Sequence, residues 1–364
     1  MRFPEFSGEW KEEQLDSIAT LSKGIGISKE QLSEDGEPCI LYGELYTKYK
    51  SEIIKHVESK TDIDSSKLKR SKANDVIIPC SGETAVDIAT ARCVPFDNIL
   101  LGGDLNVISL HKYDGAFMSY QLNGKRKYDI ARVAQGVSVV HLYGEHLKAI
   151  KTYNPSLPEQ QKIAELLSLI DERIATQNKI IYKLKSLIRG IAQNMVHRGK
   201  PNVRLSDCMI CNSSTLQESE VLESGTYPVY GANGIVGYLD CYATLNEAIY
   251  IIKDGSGVGT VFYVAGKCSA AGTLNTLQAK EGYSLQYLYY LLTVFNFEPY
   301  KTGMAIPHIY FKDYGKAKVF CPSHSEQFKY TKLLSTIDSK LLAEQNALVN
   351  YNLQKQYLLR QMFI

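Results

Sequence analysis

Pro155-Ser156-Leu157-Pro158-Glu159-Gln160-Gln161-Lys162-Ile163-Ala164-Glu165-Leu166-Leu167-Ser168-Leu169-Ile170-Asp171 decides the fold, because the chain says it twice. At an offset of 167 residues, Pro322-Ser323, Glu326-Gln327, Lys329, Leu333-Leu334-Ser335, Ile337-Asp338 and Met362 restate Pro155-Ser156, Glu159-Gln160, Lys162, Leu166-Leu167-Ser168, Ile170-Asp171 and Met195. Positions 155–196 and 322–363 align without a gap and share 11 identities in 42, where chance supplies a small handful. Just upstream the register holds, Gly136, His141 and Tyr143 answering to Gly303, His308 and Tyr310. Further upstream it slips by two, so that Gly103-x-Leu105-Asn106 answers to Gly272-x-Leu274-Asn275. Two copies of one module suggest a protein that meets its target with two similar halves.

Both repeats read as long helices. In the first, Ile163, Leu167, Ile170, Ile174, Gln177, Ile181, Leu184, Ile188, Ile191 and Met195 alternate in steps of four and three, a heptad seam with one polar member. In the second, Tyr330, Leu334, Ile337, Leu341, Glu344, Leu348, Tyr351, Lys355, Leu358 and Met362 hold the matching places. Ser156-x-x-Glu159 and Ser323-x-x-Glu326 have the form of capping boxes, Pro158 suits a first helical turn, and Gly199-Lys200-Pro201 ends the first helix. A helix over residues 157–196 is about 60 Å long at 1.5 Å per residue. With one apolar stripe it needs a partner, and the second copy is the natural one. Antiparallel pairing brings the midpoints together, where Gln177 and Glu344 either set the register by hydrogen bonding or leave a solvated gap.

The segments before the helices read as globular α/β modules. Residues 75–78, 106–108 and 248–252 have strand composition, Asn233-Gly234 signals a hairpin, and residues 115–122 and 284–295 suit short helices. The domain reading is therefore 1–154, a first module; 155–197, a first long helix; 198–321, a second module; and 322–364, a second long helix. The fold class is α+β: two similar α/β domains separated by two long helices that form an antiparallel coiled coil.

Composition narrows the function without naming it. Forty-one Lys and Arg against 39 Asp and Glu leave a net charge of +2, so any affinity for nucleic acid must come from local patches such as residues 67–72 and 125–132. The longest apolar run, Tyr287 to Phe295, is about half of the ~20 residues a membrane span needs. The opening MRFPEFSGEW has no apolar signal region, so the expected location is cytoplasmic, with the eight cysteines reduced. Cys208-x-x-Cys211 lacks a second ligand pair at zinc spacing and reads as buried thiols. Gly255-Ser256-Gly257-Val258-Gly259 is followed by the strand-like Thr260-Val261-Phe262-Tyr263-Val264, so it reads as a β-turn region and not as a dinucleotide loop. No phosphate-binding lysine motif, zinc-protease motif or nucleophile elbow is present. Asn154-Pro155-Ser156-Leu157 departs from the Asn-Pro-Pro-aromatic signature of amino-methyltransferases. A binding protein is the expectation.

With two divergent modules, each followed by a helix opening on Pro-Ser-x-x-Glu-Gln, the chain resembles the specificity subunit of type I restriction-modification enzymes. The opening Arg2-Phe3-Pro4-Glu5-Phe6 with Trp10 resembles the family's start, and Pro228-Val229-Tyr230-Gly231-Ala232-Asn233-Gly234 followed by Gly237-Tyr238 resembles a common opening of its recognition domains. The second helix departs where His324-Ser325 and Phe328 replace Leu157-Pro158 and Gln161. The resemblance implies two target recognition domains, each reading half of a split site in double-stranded DNA, with the helices setting the gap. It also implies two docked modification subunits, with further restriction subunits in the complex. S-adenosylmethionine, ATP and Mg belong to those partners, so this chain is expected to be non-catalytic and to hold no cofactor or metal.

Candidate DNA contacts are polar or basic residues at loops and strand ends: Lys72, Ser81, Arg92, Arg126, Arg132 and His141 in the first module, Asn233, Lys253, Ser256, Lys267, Lys301 and His308 in the second. The expected helix-pair interface is Leu167, Ile170, Ile174, Gln177, Ile181 and Leu184 with Leu334, Ile337, Leu341, Glu344, Leu348 and Leu358. Two other readings stand beside this one: the recognition subunit of a methyltransferase-only or single-complex restriction system, and a coiled-coil scaffold with no role on DNA.

Overall fold

The computed structural model describes all 364 residues. Four helices are nine residues or longer: α1 (Gly115–Asn123), α2 (Leu157–His197), α3 (Leu285–Thr293) and α4 (His324–Gln361). The chain forms two compact units, residues 1–178 with 346–364, and residues 179–345. Each unit therefore contains a module and a piece of both long helices.

In the first unit, strands Ala19–Lys23, Leu105–Leu110, Asp75–Pro79 and Arg92–Val94 lie side by side in that order as an antiparallel sheet. In the second, Met209–Ser213, Leu274–Ala279, Glu247–Ile252 and Val261–Ala265 do the same. Each module also has a smaller sheet with one parallel pair, Glu37–Ile40 beside Leu100–Leu101 and Tyr227–Gly231 beside Ser269–Ala270. Both modules close their ends with a short antiparallel pair, Lys11–Gln14 on Lys151–Asn154 and Val203–Arg204 on Lys318–Val319. The hairpin expected at Asn233-Gly234 joins Tyr227–Gly231 to Gly234–Leu239, with Gly234 at φ +110°.

The heptad seam is buried toward the ends of both helices and half-buried over much of their middle. In the first unit Ile163, Leu167 and Ile170 of α2 share a core with Leu358, Met362 and Phe363, and with Phe117 and Tyr120 of α1. In the second unit Ala192 and Met195 of α2 share a core with Leu334 of α4, with Ile188, Ile191 and Tyr330 packed against it. The start of α2 is thus matched to the end of α4, and the end of α2 to the start of α4, so the helices run antiparallel. Ile174, Leu184, Ile337, Leu341 and Leu348 are half-buried, while Ile181 is buried. Gln177 is buried, and Glu344 pairs with Lys340 with only 14% of its side chain exposed, so neither is a solvated gap.

The repeated Glu-Gln pair has a physical role that differs from a capping box. Gln160 Nε2 donates to Pro155 O at 2.8 Å, and its Oε1 accepts from Asp114 N at 2.9 Å, the N-cap residue of α1. Gln327 repeats both bonds, to Pro322 O and from Ser284 N, the N-cap residue of α3, each at 2.9 Å. Each glutamine so ties the first turn of a long helix to the first turn of its module's buried helix, satisfying backbone groups that would otherwise be orphaned. Glu159 does not close a box on Ser156. Both its oxygens accept from Arg2 at 2.7 Å, which anchors the N-terminal segment, and Trp10 of that segment packs edge-on to Phe117 and Phe363. At Ser323 the serine hydroxyl instead donates to Glu326.

Candidate nucleic-acid interface

The matched segment just upstream of each long helix, Gly136…His141-x-Tyr143 and Gly303…His308-x-Tyr310, builds the same loop in each module. In the first unit Gln135 and His141 exchange backbone hydrogen bonds of 2.9 and 2.7 Å, closing a loop over 135–141. In the second Thr302 and His308 exchange bonds of 2.9 and 2.7 Å around 302–308. Each turn needs its glycine: Gly136 sits at φ +123° and Gly303 at φ +88°, where an added Cβ would lie 2.1 Å from Val139 O and 2.3 Å from Ile306 O. At the base, the His141 and Tyr143 rings stack with centroids 6.2 Å apart, and those of His308 and Tyr310 at 6.5 Å. The tips are apolar and open, with Val137 at 98% and Met304 fully exposed, followed by exposed Val139 and Ile306.

Behind each loop lies a glycine-containing segment, a short strand in the first unit and a turn in the second. In the first unit His141 pairs with Ser81 across a two-residue strand ladder, and Ser81 Oγ lies 3.4 Å from His141 Nδ1. Ser81, Gly82, Tyr42, Tyr46 and Val139 line an open cleft of about 710 Å³ together with Glu83, Asp87 and Arg92. In the second unit His308 Nδ1 donates to Asp254 Oδ1 at 2.7 Å, fixing the ring orientation. Gly255 N donates to Pro307 O and Ile309 N to Lys253 O, so the glycine turn and the loop form one surface. Lys312 extends it, its ammonium 5.2 Å from the centre of the Tyr310 ring.

The candidate residues sort accordingly. Ser81 and His141 meet in the first unit; Lys253, exposed Ser256, Lys301 and His308 meet in the second, where Lys301 pairs with Glu298 at 2.5 Å. Asn233 is exposed at the hairpin turn and Lys267 lies over the rings of Tyr227 and Tyr242, both on the smaller sheet's side of the module. Lys72 is exposed at the entry to strand Asp75–Pro79, and Arg132 is exposed beside Asp129. The two remaining arginines make contacts within the first unit. Arg92 donates to the carbonyls of Tyr49 and Ala91 at 2.9 Å each, and burial pushes its pKa down. Arg126 lies over the Tyr153 ring, pairs with Asp129 and donates to Ile364 O. Arg92 also lines the cleft beside Ser81 and Val139. The exposed Val137, Val139, Met304 and Ile306 stand on the same loops but were not among the candidates, which were polar or basic; the paired glycines were the available signal.

No group of three or more His, Cys, Asp and Glu side chains is placed to hold a metal. All eight cysteines are free, and Cys208 donates to Arg204 O. No helix is long and apolar enough to cross a membrane.

Comparison with known proteins assigns this architecture. The family model for the type I restriction modification DNA specificity domain matches residues 7–186 and again residues 200–351. The chain belongs to that family. A stretch of 98 residues is 31% identical to S.HindORF215P of Haemophilus influenzae, provisionally named a type I restriction enzyme specificity subunit, covering 26% of each chain. Another of 117 residues is 26% identical to the EcoprrI specificity subunit of Escherichia coli, covering 32% of this chain and 29% of that one. The matched stretches thus span under a third of either relative. The fold is that of a type I system S subunit from M. genitalium, with TM-score 0.70 and 19% identity over 100% of this chain and 97% of that one. A chain solved in work on complex assembly and conformational transition of the type I R-M system gives 0.56 at 14% identity, over 98% and 97%.

Within this specificity-domain chain, Gly303→Val should distort only the second loop. The strained φ and the clash at Ile306 O should cost about 1–3 kcal/mol locally, and DNA affinity should fall while the first loop is unaffected. Calorimetry with binding titrations on duplex checks it; unchanged affinity would separate the loop from DNA.

Proposed function

We propose that this chain is the non-catalytic DNA-recognition subunit of a type I restriction-modification complex. Each module reads one half of a split DNA site, and the paired helices hold the two readings in register. The observation that carries this reading is that the DNA specificity domain occurs twice, each time with the same closed loop built on a glycine at positive φ. Lysines 253, 301 and 312 supply phosphate attraction in the second module, and the exposed tips suit contact with thymine methyls or a base step. In the first, Glu83 and Asp87 suit the amino groups of cytosine or adenine, and Arg92 lines the same cleft.

The modification subunits dock on the helices, whose outer faces expose Leu169, Tyr182 and Leu187 on α2 and Leu342, Val349, Leu353 and Tyr357 on α4. S-adenosylmethionine, ATP and Mg act in the partner subunits, which lie with this chain in the cytoplasm. The test is a methylation map of the host genome with and without this gene. Adenine methylation at one split, asymmetric sequence should vanish on deletion; an unchanged map overturns the proposal.

A further inference from the structure

Lys355 stands in the α4 seam, where an apolar residue is the rule. Its ammonium lies 2.6 Å from Glu52 Oε2 and 2.6 Å from Asp171 Oδ1, and all three side chains are at most 15% exposed. Asp171 Oδ2 also accepts from Tyr120 Oη at 2.7 Å and Ser51 Oγ at 3.3 Å, and the Tyr120 ring faces the ammonium at 5.7 Å. Arg92 is the other cation acting on Glu52 and Asp171, but its guanidinium is held by backbone carbonyls. The two carboxylates outweigh burial and push the lysine's pKa up, so the ammonium stays charged. The second unit has no such cluster at the repeated place. There Asp338, the counterpart of Asp171, accepts from Tyr290, and Ile188 stands 167 residues before Lys355, packed against the apolar core.

This difference matters because the repeats are otherwise fit to pair with themselves. In antiparallel pairing, two copies of the first helix would present the same seam and the same Asp to each other, and Ile188 would face Asp171. We propose that Lys355, Glu52 and Asp171 form a pairing-specificity site, which admits the second long helix to the first module and refuses the first helix of another copy. Refusal has a plain cause: like pairing puts Ile188 where Lys355 stands and leaves the two buried carboxylates without their ion-pair partner. Only Arg92 is then nearby, its guanidinium held by backbone carbonyls, which is far worse than exchanging a matched ion pair for an apolar one. The site makes the assembled protein carry two unlike modules, and hence, on the function proposed above, read an asymmetric sequence.

The test uses the folded full chain and needs no DNA, so it fails or succeeds independently of that function. A specific protease site inserted after Lys200, an exposed position beyond α2, is cut after folding. Nicked protein carrying a mass tag on one half is then incubated under exchange conditions and read by native mass spectrometry. The wild type should hold unlike pairs almost exclusively. Lys355→Ile, which gives both helices the same residue at this place, should raise first-half homodimers roughly tenfold or more, and Lys355→Arg should not. Should Lys355→Ile fail to fold, the neutral combination Glu52→Gln, Asp171→Asn, Lys355→Met decides by the same reading. Homodimers no more abundant than in wild type would overturn the proposal.

Discussion

Ile170→Lys will lower the melting temperature of the chain by roughly 10 °C. Ile170 is 7% exposed and lies in the first unit's helix core with Leu167, Leu358 and Phe363. A lysine there buries an ammonium with no carboxylate assigned to it, since Asp171 and Glu52 are already engaged by Lys355. The loss should be about 3–5 kcal/mol, at roughly 2–4 °C per kcal/mol for units of this size. Separating the helices should also abolish co-purification with the modification subunits. The matching Leu341→Lys should cost less, under about 2 kcal/mol, because Leu341 is only half-buried and its amine can reach solvent. Calorimetry on both variants checks the order; equal losses would mean that the seam is evenly buried along its length.

Exchanging residues 198–321 for the corresponding module of a relative should replace one half of the methylated DNA sequence and leave the other half unchanged. The second module has its own sheet, its own loop at 302–308 and its own glycine turn. It is not wholly free of the helices, because Ala192, Met195 and Leu334 belong to its core. A donor module whose α3 and end strands present similar apolar volumes should therefore graft with little loss, whereas a mismatched one leaves cavities worth about 2–5 kcal/mol. A methylation map of cells carrying the exchanged protein reads the outcome. Change in both halves would show that the modules do not read independently.

Much of this was visible in the residues. The seam of α2 and α4, the strands at 75–79, 105–110 and 247–252 and the hairpin after Gly231 all follow from local period and turn chemistry. The surroundings of the candidate DNA contacts were less legible: charge marks a residue but not what it faces, and only the structure shows that Arg92 donates to the carbonyls of Tyr49 and Ala91 and that Arg126 pairs with Asp129 over the Tyr153 ring.

The sequence by itself determined that there are two copies of one module, that each ends in a long helix, and that the helices need each other. Those conclusions rest on spacing, which is a property of neighbouring residues along the chain. The tertiary structure decided which chemistry the repeated residues perform. Gln160 and Gln327 are ties between helices, Glu159 is the seat of Arg2, and Lys355 fills a buried carboxylate site. These partners lie 46, 43, 157 and 184 residues apart in the chain. Their meeting depends on how the whole sheet and both helices close around them, and the cost of leaving a buried polar group unpaired then holds each to its place.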